Sequence, residues 1–136
     1  MEEIINESNW LEIAKNAAIK AGEKILQIYS EDFSVTYKND NSPLTIADQQ
    51  ANEIIEGYLS KTNIPILSEE GKLTDYKVRK NWELLWIVDP LDGTKEFVKR
   101  NGEFTVNIAL VKDGVPILGV IFVPVKGWLY YGSPKG

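Results

Sequence analysis

The chain contains no cysteine and no histidine. The first absence excludes a disulfide framework, a zinc–thiolate site and a cysteine nucleophile. The second excludes serine–histidine triads, histidine–zinc sites and histidine as a general base. Any hydrolytic chemistry in this chain must therefore rest on carboxylates, hydroxyls and metal ions.

Basic charge and long apolar runs are also scarce. Lysine and arginine number 15 against 20 aspartates and glutamates, and the net charge of −5 argues against a nucleic-acid groove. No stretch approaches the roughly 18 apolar residues of a membrane span, and the acidic N-terminus does not resemble a signal peptide. These features predict a cytoplasmic protein with no membrane span and no nucleic-acid partner. An acidic protein that handles phosphates needs metal cations to attract them.

The hydrophobic pattern predicts two helices followed by a meander of strands. Apolar residues recur at helical spacing over residues 9–29 and about 46–59. Strands are expected at 35–38, 64–67, 84–88, 104–112, 115–123 and 128–131. The continuous apolar run at 84–88 predicts a strand covered on both faces. This order indicates the α+β class, with two helices packed on a mostly antiparallel sheet.

Residues 89–94, Asp-Pro-Leu-Asp-Gly-Thr, form the most informative segment. Asp89 and Asp92 follow an apolar strand and can converge on a divalent cation, for which hard oxygen ligands favour Mg²⁺. The backbone amides of Gly93 and Thr94 would lie at a helix N-terminus, which suits a phosphate. The competing interpretation is an ordinary turn, because Asp, Pro and Gly are turn-forming residues.

A second acidic pair, Glu69-Glu70, also follows an apolar strand directly. Two neighbouring glutamates are usually a solvated surface. Here, however, two strand ends that carry acids can meet at one edge of a sheet. Three carboxylates and a backbone carbonyl could then enclose a metal ion.

Asp48 is expected in the first turn of the second helix. Its local role there would be to cap the helix and complement the helix dipole. Its functional role would be to orient a threonine hydroxyl that activates water, since a hydrolase without histidine needs a substitute base.

These motifs resemble the signature of the inositol monophosphatase superfamily. The resemblance rests on Ser-Glu-Glu-Gly at 68–71 and Trp-Ile-Val-Asp-Pro-Leu-Asp-Gly-Thr at 86–94. The segments at 94–97 and 101–109 are most similar to the 3′(2′),5′-bisphosphate nucleotidase branch. Inositol monophosphatases more often have Asn where Glu96 stands here.

The resemblance implies a set of metal ligands. Glu69 and Asp89 would hold a first Mg²⁺ together with the backbone carbonyl of Leu91. Asp89 would bridge to a second Mg²⁺ that Asp92 also binds. The family completes that second site with the aspartate of a Trp-Asp segment, and no Trp-Asp dipeptide occurs in this chain. The second site is therefore expected to be incomplete.

The resemblance also implies a catalytic pair and a phosphate site. Thr94, oriented by Asp48, would help to deprotonate the attacking water. Gly93, Thr94 and Glu69 would contact the substrate phosphate. Two further residues are expected to lie behind these groups: Glu70 and Lys95.

The implied reaction removes the 3′-phosphate from adenosine 3′,5′-bisphosphate and gives AMP and phosphate, a step of sulfur metabolism that lithium inhibits in this family. An inositol monophosphatase is the alternative substrate assignment. Family members are about twice as long and fold as αβαβα sandwiches. Residues 1–136 would be the N-terminal metal-binding αβ domain, and the C-terminal αβ domain is absent. The chain is therefore expected to be a poor catalyst alone.

Two other classes are considered. A haloacid-dehalogenase-type phosphatase needs its nucleophilic aspartate two residues before the Asp of Asp-Gly-Thr, and Pro90 occupies that position. This class is excluded. The second class is a non-catalytic metal- or phosphate-binding fragment that acts through association. Without the second half of the fold, apolar sheet surface would be exposed, which favours a homo-oligomer or binding of a complementary half.

Overall fold

A computed structural model describes residues 7–29, 43–68, 83–93 and 102–132. It contains helices α1 (Glu7–Tyr29) and α2 (Pro43–Leu59) and strands β1 (Ile66–Ser68), β2 (Leu84–Asp92), β3 (Thr105–Lys112), β4 (Val115–Val123) and β5 (Trp128–Gly132). The strand expected at 35–38 lies outside the described residues. Both helices begin earlier than the sequence predicts. For α2 the reason is Pro43, because proline suits the first position of a helix, where its missing N–H is not needed.

The five strands form one sheet in chain order, from β1 to β5. β1 and β2 are parallel, and the other three pairs are antiparallel. The predicted α+β class with a mostly antiparallel sheet is therefore confirmed. Between β3 and β4 the chain turns at Asp113 and Gly114, which have φ angles of 51° and 82°. Two central residues with positive φ match the twist of adjoining strands, so the predicted hairpin is confirmed.

Small residues let α1 lie close to the sheet and to α2. The fully buried alanines on α1 are Ala14, Ala17, Ala18 and Ala21. Next to them, a Cβ added at Gly22 would overlap the ring of Phe122 on β4. Glycine at this position is thus required by close packing of the helix on the sheet. No helix within the described ranges is long and apolar enough to cross a membrane.

The inner face of the sheet, which packs against both helices, forms the core. In β3 the alternating side chains Val106, Ile108 and Leu110 are buried, as is Phe104 just before the strand. Complete burial of each such side chain contributes roughly 1.5–3 kcal/mol. The period of two predicted for this strand is confirmed.

The outer face of the sheet is exposed, which corrects the prediction that β2 is covered on both faces. Trp86 and Val88 are buried on the inner face, but Ile87 between them is 43% exposed. Side chains alternate along a strand, and both described helices pack on the inner side. Other large apolar side chains on the outer face are exposed as well: Ile121, Trp128 and Tyr130.

A buried polar contact fixes the end of α2 against β2. The indole Nε1 of Trp86 donates to Oγ1 of Thr62 at 2.9 Å, and this hydroxyl donates to the carbonyl of Leu59 at 2.7 Å. The backbone N–H of Ile64 also donates to Thr62 Oγ1, at 3.3 Å. One hydroxyl therefore satisfies three polar groups where the helix ends.

We expect Thr62→Val to destabilise the chain by about 1–3 kcal/mol, because it leaves the buried indole N–H without an acceptor. Urea unfolding followed by circular dichroism measures the change. Ser60→Ala is the matched control, since Ser60 is exposed and its hydroxyl donates only to the carbonyl of Gly57. Equal loss of stability in both variants would contradict the role given to Thr62.

Candidate functional site

Of the nine residues to which the resemblance assigns a role, the structure describes five. They are Asp48, Asp89, Leu91, Asp92 and Gly93. The other four lie outside the described residues: Glu69, Glu70, Thr94 and Lys95.

A bulge in β2 determines where the two aspartates point. Asp89 pairs with Asn107 of β3, and Asp92 pairs with Thr105, so three steps along β2 match two steps along β3. The strand therefore continues through Pro90 to Asp92, whereas the sequence predicted a turn after Asp89. Proline has no N–H, and it is tolerated at a bulge because the interrupted hydrogen-bond ladder requires none there.

The extra residue brings Asp89 and Asp92 to the same side of the sheet. In a regular strand, residues three positions apart face opposite sides. Here Pro90 and Leu91 are both buried, while Asp89 is half-buried and Asp92 is exposed. The two carboxylates thus share the outer face, with the side chain of Leu91 in the core. Leu91 can therefore offer only its backbone carbonyl oxygen as a ligand.

Asn107 lies on the same face and contacts the second aspartate. Its Nδ2 donates to Oδ2 of Asp92 at 3.0 Å, and Thr105 Oγ1 lies 3.5 Å from Asn107 Oδ1. Neither residue was predicted from the sequence to have a role. The available signal was their alternation, since Thr105 and Asn107 are the polar positions of a strand whose inner side is apolar.

The end of β1 meets β2 beside Asp89. Ser68, the last residue of β1, pairs in parallel with Val88, the residue before Asp89. The Ser68 hydroxyl donates to Oδ1 of Asn52 in α2 at 2.5 Å, and Asn52 Nδ2 donates to Glu56 at 3.1 Å. Both Ser68 and Asn52 are buried. This polar contact, absent from the sequence prediction, fixes the strand end against α2.

Asp48 is the sixth residue of α2, not part of its first turn as predicted, because the helix starts at Pro43. Groups that cap a helix lie within its first turn, so the capping role is less suitable for this residue. α2 runs antiparallel to β2, with Asn52 near the end of β1 and Thr62 near Trp86. Asp48 lies one helical turn before Asn52, toward the end of the sheet where Asp89 stands.

The donors at this end of the sheet suit a hard cation. Carboxylate, amide and backbone carbonyl oxygens are the groups that Mg²⁺ and Ca²⁺ bind, and the chain has no cysteine or histidine to favour a softer metal. Within residues 7–29, 43–68, 83–93 and 102–132, no three Asp or Glu side chains cluster closely enough to hold a metal. A third carboxylate would have to come from outside those ranges, where Glu69 is the candidate.

Comparison with known families agrees with this arrangement. The model of the inositol monophosphatase family matches residues 6–136. The chain belongs to the inositol monophosphatase family. The resemblance drawn from its acidic motifs is therefore confirmed.

Curated relatives in this family carry the name 3′(2′),5′-bisphosphate nucleotidase CysQ. The Salmonella typhimurium protein is 49% identical over 127 residues, which are 90% of this chain and 51% of that protein. An Escherichia coli protein is 50% identical over 117 residues, which are 83% of this chain and 47% of that protein. The chain thus spans about half the length of the curated relatives it matches.

Solved structures of the family share the fold. CysQ from Bacteroides thetaiotaomicron superposes with a TM-score of 0.85 at 61% identity, covering 93% of this chain and 46% of that one. Inositol monophosphatase from Anabaena superposes with a TM-score of 0.75 at 30% identity, covering 93% of this chain and 44% of that one. The fold described here therefore corresponds to about half of a family member.

Gly93 follows the bulge with a φ of 93°, a conformation that residues with a side chain rarely adopt. We expect Gly93→Ala to destabilise the chain by more than about 1 kcal/mol, because the strain is built into the backbone. Gly57→Ala is the matched control, since Gly57 lies in α2 with open space around it. That variant should stabilise by about 0.5–1 kcal/mol through helix propensity. Urea unfolding of both variants measures the contrast, and a shift of the same sign in both would contradict it.

Proposed function

We propose that this chain carries the metal-binding half of a Mg²⁺-dependent phosphatase of the 3′(2′),5′-bisphosphate nucleotidase class. The supporting observation is the bulge that turns Asp89 and Asp92 to one face of the sheet, beside the end of β1. Two converging carboxylates after a buried strand are a suitable start for a Mg²⁺ site. The names of the relatives, at 49–50% identity, support the nucleotide substrate.

Four residues would hold the two metal ions, with Asp92 at the second, incomplete site. Asp89 and Asp92 supply carboxylates from the outer face, and Leu91 supplies its backbone carbonyl. Glu69 directly follows Ser68 in the sequence, and Ser68 pairs with Val88, the residue before Asp89, so Glu69 would supply the third carboxylate. When bound, Mg²⁺ would lower the pKa of water and offset the charge of the phosphate.

The remaining residues would handle the proton and the phosphate. Thr94 would accept a proton from the attacking water, with Asp48 orienting its hydroxyl. The backbone amides of Gly93 and Thr94 would donate to the phosphate oxygens. Glu70 and Lys95 would stand behind these groups and hold them in place.

The proposed step is hydrolysis of a phosphate monoester. The water oxygen forms a bond to the 3′-phosphorus, and the bond between phosphorus and the 3′-oxygen breaks. The Thr94–Asp48 pair takes one proton from the water and later returns it to solvent, the second proton stays on the phosphate, and a solvent water protonates the leaving 3′-oxygen. Adenosine 3′,5′-bisphosphate and water thereby give AMP and inorganic phosphate.

We expect the chain to release phosphate from adenosine 3′,5′-bisphosphate only when Mg²⁺ is present. Asp89→Asn should lower the rate on the order of 100-fold or more, because a metal contributes several kcal/mol to the transition state. Phosphate release with Mg²⁺ and with a chelator is the measurement. Asp113→Asn is the matched control, since Asp113 lies in the β3–β4 turn, where its φ of 51° suits asparagine.

Release that persists with chelator, or equally in Asp89→Asn, would contradict the proposal. Faster release from inositol 1-phosphate would favour the alternative, an inositol monophosphatase. No release from either substrate, together with metal binding that depends on Asp89, would favour a non-catalytic metal-binding fragment. A cytoplasmic location and lithium sensitivity stay predictions.

The outer face is also proposed to mediate association, with a second copy of the chain or with a complementary half. Ile121, Trp128 and Tyr130 present exposed apolar surface on the adjoining strands β4 and β5, and Ile87 is exposed on β2. Contiguous apolar surface of this kind usually marks an interaction site.

We expect the isolated chain to self-associate through this face, and Ile121→Lys to shift it toward monomer because the charge must be desolvated on contact. Light scattering coupled to size exclusion measures the mass. Val115→Lys is the control, because Val115 is 60% exposed but lies at the β3–β4 turn. A monomeric unmodified chain, or equal effects of both lysines, would contradict this interface.

A further inference from the structure

Asn107 stands between the two aspartates of the bulge. It pairs across the sheet with Asp89, and its side-chain amide donates to Asp92 Oδ2 at 3.0 Å. The family resemblance assigns no role to this position. Its place opposite one carboxylate and in contact with the other raises the question of what it does for them.

The direction of the contact is determined by chemistry. An ionised carboxylate can only accept hydrogen bonds, so Asn107 must turn its NH₂ group toward Asp92. Its carbonyl oxygen then faces Thr105, whose hydroxyl lies 3.5 Å away and can donate to it. Both contacts agree on one orientation of the amide.

A neutral donor has a particular advantage at this place. Lysine or arginine would bind Asp92 more strongly, but the added positive charge would repel a cation. An amide restricts the carboxylate and leaves its negative charge intact. A carboxylate offers about four lone-pair sites, so one accepted hydrogen bond leaves the others available to a metal.

We propose that Asn107 is a positioning residue that holds Asp92 ready for a divalent cation. This inference rests on the proposed metal site. Partners that orient metal ligands typically change metal affinity by about 10- to 100-fold when removed. Because Asp92 is exposed, packing restricts its side chain little, and the hydrogen bond from Asn107 can fix its orientation.

The test measures Mn²⁺ binding to the 136-residue chain by electron paramagnetic resonance. Asn107→Leu keeps the size of the side chain and removes the donor, and we expect roughly 10- to 100-fold weaker binding. Asn107→Thr is a second variant, with a β-branched residue that strands tolerate and a hydroxyl too short to reach Asp92. Asp113→Asn is the control, because Asp113 lies in the β3–β4 turn away from this hydrogen bond, and this variant should bind Mn²⁺ nearly as before. Thermal unfolding without metal verifies that each variant is folded.

A double-mutant cycle distinguishes positioning from a general effect on the sheet. In an Asp92→Asn background, Asn107→Leu should weaken binding no further. An equal further loss there would overturn the inference, as would unchanged binding in a folded Asn107→Leu chain. If Asp89→Asn leaves Mn²⁺ binding unaffected, the proposed metal site itself fails. Loss in Asp89→Asn with no change in Asn107→Leu overturns only the role of Asn107.

Discussion

The one-residue bulge in β2 is the constraint on which the candidate site depends. Without it, Asp92 would face the helices and place a charge in the core, which costs many kcal/mol unless the charge is paired. With it, Pro90 and Leu91 fill the core and both aspartates face outward. Proline at 90 is compatible with this arrangement because the interrupted ladder requires no N–H there. A local irregularity in the sheet thus gives an apolar strand an end that carries two carboxylates on one face.

The two faces of the sheet have different roles. The inner face is filled by tightly packed small residues and alternating apolar side chains, and gives the chain its core. The outer face carries the carboxylates at one end and exposed apolar side chains elsewhere. Because the whole chain is acidic, a phosphate substrate would be repelled unless cations intervened. The negative charge of the chain, the oxygen-rich side chains and the shared face of the two aspartates therefore all favour a metal-dependent site.

Much of the fold, and the family, could be predicted from local sequence. The return strand Val115–Val123 and the turn at Asp113-Gly114 follow from alternation and turn chemistry, and the acidic motifs indicated the family. The bulge in β2 could not be predicted, because a regular strand pattern assumes that each residue pairs with one residue of the neighbouring strand. A proline at position 90 also indicates a turn rather than a continued strand. The Asn107–Asp92 and Ser68–Asn52 contacts join residues 15 and 16 positions apart, and only the packed sheet brings them together.

The antiparallel course of α2 along β2 has a mechanical consequence. Asp48 lies on α2, and the hydrogen bond from Ser68 to Asn52 joins that helix to the end of β1, where Ser68 pairs with Val88 next to Asp89. The Trp86–Thr62 hydrogen bond holds the other end of α2 against β2. The alignment of Asp48 with the proposed metal ligands would therefore depend partly on a hydrogen bond remote from both.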